Sequence, residues 1–459
     1  TYSGVLYLTA LRGIKLRGAY YGLYHPEEPI SPFLDLKPLL EFPGWIHALR
    51  TLEETGSARP LANMLGRGLE NSQTLDRIKK HLSELTQSYL AGLPLEIGKA
   101  IAEVENKKTQ IEEQLSSDHH LPLADELCDN LMTLLQPLTL EINLNKGWKG
   151  RAELDKQELR RQAVLINELI ERENYPAAFG LLLEWVVSWV VWRKYGAKQW
   201  LDWDKRKKAD TLLWAMSALL QDNQLKTHLS DKQQALAVFW NDIRELRNGY
   251  AHHGMRSEVQ VGGKKILRTR HRVVTYWKET LSGLPDISLD YGGSEGGVLL
   301  VCPLGNAHGV LYSALKAVAA ETGQFPTTCL VICSKQSQAA IQEAVEAAGY
   351  TNQIVPLVMA NPFGGSDEIQ PLIEQAREHL FKAERVFVNI TGGTTVMGLA
   401  AEKLAEEAKS LARPVRRFGL IDRRNKQEQI DDPFQKGETF WLDKDQENDV
   451  KKADTQAVG

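Results

Sequence analysis

The last third of the chain alternates regularly, and that alternation narrows the possible folds more than any other feature. Short apolar runs at residues 298–303, 328–333, 353–359, 385–390 and 415–421 are separated by helix-periodic stretches at 310–322, 338–348, 367–381 and 396–408. Apolar strands joined through helices must run parallel, with helices covering both faces. The pattern predicts a Rossmann-like, doubly wound parallel sheet over residues 297–445.

A sheet of this kind takes ligands beyond the carboxyl ends of its strands. Three of those ends are small, polar and glycine-rich. Leu304, Gly305, Asn306, Ala307, His308 and Gly309 follow the first strand. Ser334 and Lys335 follow the second, and Thr391, Gly392, Gly393, Thr394 and Thr395 follow the fourth. Glycines let a backbone approach a phosphate, and helix N-termini offer free N–H groups. No Gly-x4-Gly-Lys-Ser/Thr sequence accompanies them, so the loop after the fourth strand is not an ATP-hydrolysing P-loop, and no Gly-x-Gly-x-x-Gly follows the first strand, so a dinucleotide cofactor is not expected. Two readings of these loops stand: a phosphate-bearing ligand, or simple strand-to-helix turns.

Upstream of a boundary at Gly292-Gly293-Ser294-Glu295-Gly296-Gly297, the periodicity changes. Residues 75–90, 95–115, 123–138, 158–172, 176–195, 209–220, 232–250 and 273–281 all carry helical spacing, so 61–288 is expected to be an all-α domain. Trp185, Trp189 and Trp192 recur at helical intervals and read as core packing. The most apolar stretch, 177–192, contains Glu184 and is followed by Arg193 and Lys194, so it reads as a buried helix and not a span.

The chemistry of this helical block concentrates at Arg247, Asn248 and His252, at the end of an apolar run through Leu236, Val238, Phe239, Trp240, Ile243 and Leu246. Positions five apart on a helix differ by about 140°, which Gly249 and the helix end can relax until both side chains reach one pocket. A permanently charged guanidinium and an imidazole titrating near neutrality suit phosphodiester cleavage without a metal. On residue chemistry alone the alternative is that Arg247 caps the helix while His252 and His253 lie at the surface. Just downstream, Arg256, Lys264, Lys265, Arg268, Arg270, His271 and Arg272 form a basic run, either a solvated face or a path for an RNA backbone.

The net charge of −4 confines any nucleic-acid site to such a local patch. Cys128, Cys302, Cys329 and Cys333 form no Cys-x-x-Cys pair, and no His/Cys/Asp/Glu cluster has metal-ligand spacing; a reducing cytoplasm is expected and no metal. Residues 1–60 begin at Thr1 with a short apolar helical fragment at 5–11 and a strand-like alternation at 13–22. They then run through Pro26, Pro29 and Pro32 to a helix at about 36–51. A helix and one strand bury no core of their own, so this segment is expected to be the remnant of an N-terminal α/β domain.

Arg247-Asn248-Gly249-Tyr250-Ala251-His252 resembles the Arg-x4-6-His motif of HEPN ribonucleases, with His253 an extra histidine. Val301-Cys302-Pro303-Leu304-Gly305 and Asn389-Ile390-Thr391-Gly392-Gly393-Thr394 resemble the first- and fourth-strand motifs of CARF (CRISPR-associated Rossmann fold) domains. Ala307-His308 departs from the Ser-Pro common in that family. Tyr20-Tyr21-Gly22 and residues 45–50 resemble the junction that joins a CARF domain to a HEPN domain. The resemblance implies a type III CRISPR-associated endoribonuclease, a homodimer or higher even-numbered oligomer in which Arg247, Asn248 and His252 of two chains form one metal-independent site. It further implies that Leu304, Gly305, Asn306, Ser334, Thr391, Gly392, Gly393, Thr394 and Thr395 bind cyclic tetra- or hexa-adenylate as activator, with single-stranded RNA as substrate and no cofactor. Two alternatives remain: a cyclic-nucleotide sensor without catalysis, and a ring nuclease acting in the C-terminal domain.

Overall fold

The computed structural model describes residues 18–22, 26, 33–65, 73–113, 115–116, 121, 123–140, 147–198, 200–251, 263–291 and 296–443. The expected helix at 5–11, most of the strand at 13–22, Pro29 and Pro32, and connector residues 292–295 lie outside them. The chain divides into two compact units, Thr1–Arg206 with Asp242–Pro285, and Lys207–Asn241 with Asp286–Gly459. Two of the boundaries fall inside helices, Trp203–Gln221 and Asp231–Ala251.

Among the described residues the first unit is helical apart from an exposed antiparallel pair, β1 (Tyr20–Gly22) and β2 (Phe33–Asp35), in register Tyr21↔Leu34. Its central element is the helix Tyr175–Tyr195, whose apolar residues are spread around most of its circumference and are largely enclosed, with Glu184 exposed. It is long and apolar enough to cross a membrane, yet most of its apolar stretch is buried within the structure. Trp185 and Trp189 are fully buried and Trp192 half-buried. Trp185 donates its indole N–H to the Leu159 carbonyl at 2.9 Å and meets Trp277 edge-on at 4.9 Å between ring centroids. Trp277 in turn donates to Asn167 Oδ1 at 2.7 Å. These bonds tie the helices Lys156–Glu171, Tyr175–Tyr195 and Lys264–Glu279 together and satisfy both indoles.

A second tie is ionic. Arg161, 6% exposed in its side chain, pairs with Glu158 at 2.7 Å and donates to the carbonyls of Leu138 and Pro94 at 2.9 and 3.0 Å. Gln162 adds a bond to Glu158 at 2.7 Å, and Asp155 caps the same helix by accepting from the Glu158 N–H at 2.8 Å. Room for the guanidinium comes from Gly98, where a methyl group would fall 3.2 Å from Arg161 Nη1 and 2.4 Å from Leu140 Cβ. The expected helix at 95–115 is broken into Pro94–Glu105 and Lys108–Glu113, and the one at 273–281 begins earlier, as Lys264–Glu279.

The second unit holds a six-stranded sheet among the described residues: β3 (Val298–Leu304), β4 (Thr328–Ser334), β5 (Gln353–Met359), β6 (Arg385–Asn389), β7 (Val415–Ile421) and β8 (Glu438–Trp441). Their order is β5-β4-β3-β6-β7-β8, with β3 to β7 parallel and β8 antiparallel to β7. The parallel, doubly wound class read from the alternation is what forms; β8 and the short helix Lys426–Asp431 before it are additional. Residues 207–241, grouped with the helical domain by sequence, cluster here with the sheet unit. Asp222 and Glu407 both bind Arg377, at 3.3 and 2.7 Å, and Gln233 donates to the Ser288 and Asp290 carbonyls at 3.0 and 2.9 Å.

Removing one member of a buried ion pair strands the other in the interior, at a cost of about 3–5 kcal/mol. Arg161→Met should therefore lower the urea midpoint of helical circular dichroism by an amount equivalent to that loss, whereas exposed Lys198→Met should leave it unchanged.

Candidate functional site

Two sets of residues carry the candidate chemistry, one in each unit. The first ends the helix Asp231–Ala251. Leu236, Phe239, Trp240, Ile243 and Leu246 are buried at 2% exposure or less, while Val238, included in the apolar run by its type, is 37% exposed. That burial fixes the helix so that Arg247 is exposed and Asn248 half-buried. Arg247 Nη1 donates to Asn248 Oδ1 at 3.3 Å, which orients the guanidinium and leaves other N–H groups of the fork open to solvent. Arg247 and Asn248 are thus brought together, and His252 and His253 lie outside the described residues.

Around this helix end stands an aromatic group that sequence reasoning missed. The Tyr250 ring lies 6.0 Å from Phe179 and 6.4 Å from Tyr175, and Arg270 lies over Tyr175 at 4.3 Å. The Tyr250 hydroxyl is buried without a hydrogen-bond partner among the described residues. Its position inside the Arg-Asn-Gly-Tyr-Ala-His run was the available signal.

The second set sits where the strand order reverses, between β3 and β6. Here the loops after the two strands touch backbone to backbone: a methyl on Gly305 would fall 2.8 Å from the Gly393 Cα. Gly392 and Gly393 hold φ of 108° and 70°, in the left-handed region, and a side chain on Gly392 would strike Val310 and the Pro303 carbonyl. Fully buried Asn389 clamps the turn by donating to the Thr391 carbonyl at 2.8 Å and accepting from the Thr391 N–H at 3.0 Å.

Several hydroxyls expected to face a ligand hold the loops instead. Thr391 Oγ1 accepts from the Leu420 N–H at 2.8 Å. Thr394 Oγ1 caps the helix Thr395–Ser410 by accepting from the Met397 N–H at 3.3 Å, and donates to the Pro362 carbonyl at 2.6 Å. Ser334 shares a hydrogen bond with Ser337, which also donates to the Leu304 carbonyl at 2.9 Å. The Leu304 side chain is fully buried. The exposed members of the set are Asn306, Gly393 and Thr395, with Lys335 exposed at the end of β4.

The bond to Pro362 reveals a fourth loop that the sequence reading left out. β5 is separated from β6 by β4 and β3, a distance of roughly 14 Å at one strand spacing per step. Residues 360–365 cross that distance over the carboxyl ends of the sheet to reach Thr394. Asn361 shapes the crossing by accepting from the N–H groups of Phe363 and Gly364, and Glu368 accepts from the Ala360 N–H at 3.0 Å. Phe363 stands at its tip, 82% exposed. Beneath these loops, burial pushes the Cys302 thiol up to about 12 and the Cys333 thiol up to about 11, so neither supplies a thiolate nucleophile near neutral pH.

No family model matches the sequence, and no curated protein matches it significantly.

Thr394→Val removes both a helix cap and the tether of the crossing loop. A loss of about 1 kcal/mol is expected in thermal unfolding. Limited proteolysis should cut within 360–368 faster than in the wild type, while sites elsewhere keep their rates.

Proposed function

We propose that this protein is a ligand-switched, metal-independent endoribonuclease resembling CARF/HEPN proteins of type III CRISPR systems and acting in the cytoplasm. The observation that carries the reading is the exposed Arg247 guanidinium, oriented by Asn248 at the end of a rigidly buried helix and followed at once in sequence by Ala251 and His252. A cation with free N–H groups matches the charge that gathers on the phosphoryl oxygens during cleavage. The RNA's own 2′-hydroxyl attacks the adjacent phosphorus, a 2′,3′-cyclic phosphate forms, and the 5′-oxygen departs. His252 takes the proton from the nucleophile or delivers one to the leaving oxygen. Two chains of a homodimer contribute the residues of one composite site.

The activator on this reading is cyclic tetra- or hexa-adenylate, held over the crossover between β3 and β6. The crossover point is where doubly wound sheets take ligands, and its Gly305–Gly393 contact brings two strand-end loops together there. Asn306 and Thr395, exposed and unencumbered by the bonds that occupy Thr391 and Thr394, are the side chains to test first. Ligand binding switches the enzyme only if one geometry of the dimer binds it more tightly than another.

Arg247→Ala and His252→Ala should each lower RNA cleavage by about 10²–10⁴-fold, with cyclic oligoadenylate affinity by calorimetry unchanged and with EDTA without effect on the parent enzyme. Cleavage that disappears on chelation and returns with Mg²⁺ would overturn the mechanism, and a dead His253→Ala beside an active His252→Ala would move the assignment by one residue. Ligand binding with no cleavage under any condition would leave a sensor. Asn306→Asp combined with Thr395→Asp should weaken cyclic oligoadenylate binding by at least tenfold through repulsion of its phosphates, and leave basal cleavage intact.

A further inference from the structure

The basic run after Arg247 divides sharply according to what each cation touches. Arg272 forms a two-pronged ion pair with Asp242, whose side chain is only 9% exposed, one prong measuring 2.6 Å. Arg270 lies over the Tyr175 ring, and Lys265 pairs with Glu245. These three join the helix Lys264–Glu279 to its neighbours. Lys264, Arg268 and His271 do none of this: all three are exposed, and none has an ion pair among the described residues. They are spaced four and three residues apart, which aligns them on one face of the helix at rises of about 6 and 4.5 Å.

We infer that this exposed face, Lys264, Arg268 and His271, is a track for the sugar–phosphate backbone of single-stranded RNA. The inference rests on the ribonuclease reading above for the identity of the polyanion, while the surface itself rests on the side chains. The opposite face of the same helix, Ile266, Thr269, Val273 and Trp277, is buried in the core, so the helix has no free apolar face to insert into a bilayer. What remains is a row of positive charge, which fits a chain of regularly spaced negative charges and reads no base. The row also begins beside the candidate cutting site. Arg272–Asp242 and Lys265–Glu245 hold this helix along the last turns of the helix that carries Arg247. Backbone bound on the track is thereby delivered toward Arg247.

The test uses the full chain and a labelled RNA carrying 2′-O-methyl groups at every position, which lacks the attacking hydroxyl and stays intact. Affinity is measured by fluorescence anisotropy across a series of salt concentrations. Lys264→Gln with Arg268→Gln should weaken binding on the order of tenfold and reduce the log–log salt slope by about 1.4, for two lost phosphate contacts on a single strand. The change should be equal for RNAs of unrelated sequence. His271→Gln should act in the same direction. Arg272→Gln, whose charge is engaged in the fold, should lower thermal stability and leave the slope unchanged. An unchanged slope and affinity in the folded Lys264/Arg268 double variant would overturn the track. So would charge-dependent binding to phosphatidylserine vesicles with none to RNA. If the methylated RNA binds through these residues while unmodified RNA is never cut, the track stands and the ribonuclease reading falls.

Discussion

A guanidinium taken out of water must have its donors satisfied, and Arg161 is the residue whose burial orders the helical unit. Its bonds reach Glu158 on its own helix and the carbonyls of Pro94 and Leu138 on two other segments. Leu138 ends the short helix Gln136–Leu138, where backbone acceptors lack partners within the helix, so the guanidinium satisfies that terminus and ties it to the first residue of the helix Pro94–Glu105. The carboxylate is held in turn by Gln162. A buried pair of this kind adds little net stability over an apolar replacement of the same shape, but alternative packings that separate its members leave a bare charge inside. It therefore selects one arrangement of these helices, and the Trp185–Leu159 and Trp277–Asn167 bonds select the same one around the helix Tyr175–Tyr195.

In the sheet unit the corresponding constraint is steric. Two loops meet at Gly305 and Gly393 with no space for a side chain, and Asn389 and Thr394 hold the second loop in shape by their own hydrogen bonds. Polar side chains that sequence alone would hand to a ligand are spent on the loops' conformation. The consequence for recognition is favourable: a cradle already held in place loses little freedom when something binds, so more of each contact survives as affinity. The loop from β5 adds a cover whose attachment to Thr394 is a single side-chain bond at its far end.

Much of this was legible in the residues. The strands at 353–359 and 415–421 form with the bounds read from their apolar runs. The helix Lys264–Glu279 was read only from 273 because basic residues between Ile266 and Val273 hide the spacing of its buried face, Ile266, Thr269, Val273 and Trp277. β8 is four residues long and lies beside β7 in the opposite sense, which local pattern does not signal. The crossing loop escaped for a different reason. Asn361-Pro362-Phe363-Gly364-Gly365 reads as an ordinary turn, and its reach to Thr394 depends on the strand order, a property of the assembled sheet. At the other site, the exposure of Arg247 follows from the periodicity of the buried residues before it, whereas its bond to Asn248 depends on rotamers that spacing does not specify.

The helix Tyr175–Tyr195 has a consequence for how the protein is made. Trp277, which closes over Trp185, lies in a helix that starts about seventy residues further along the chain. At roughly 5–20 residues per second a ribosome takes several seconds to supply that cover. Throughout this interval the nascent chain carries a 21-residue segment with the length and apolar character of a membrane span and without that closing tryptophan. Glu184 within it, and Arg193 and Lys194 at its end, are then the charges that weigh against the bilayer until the core can form.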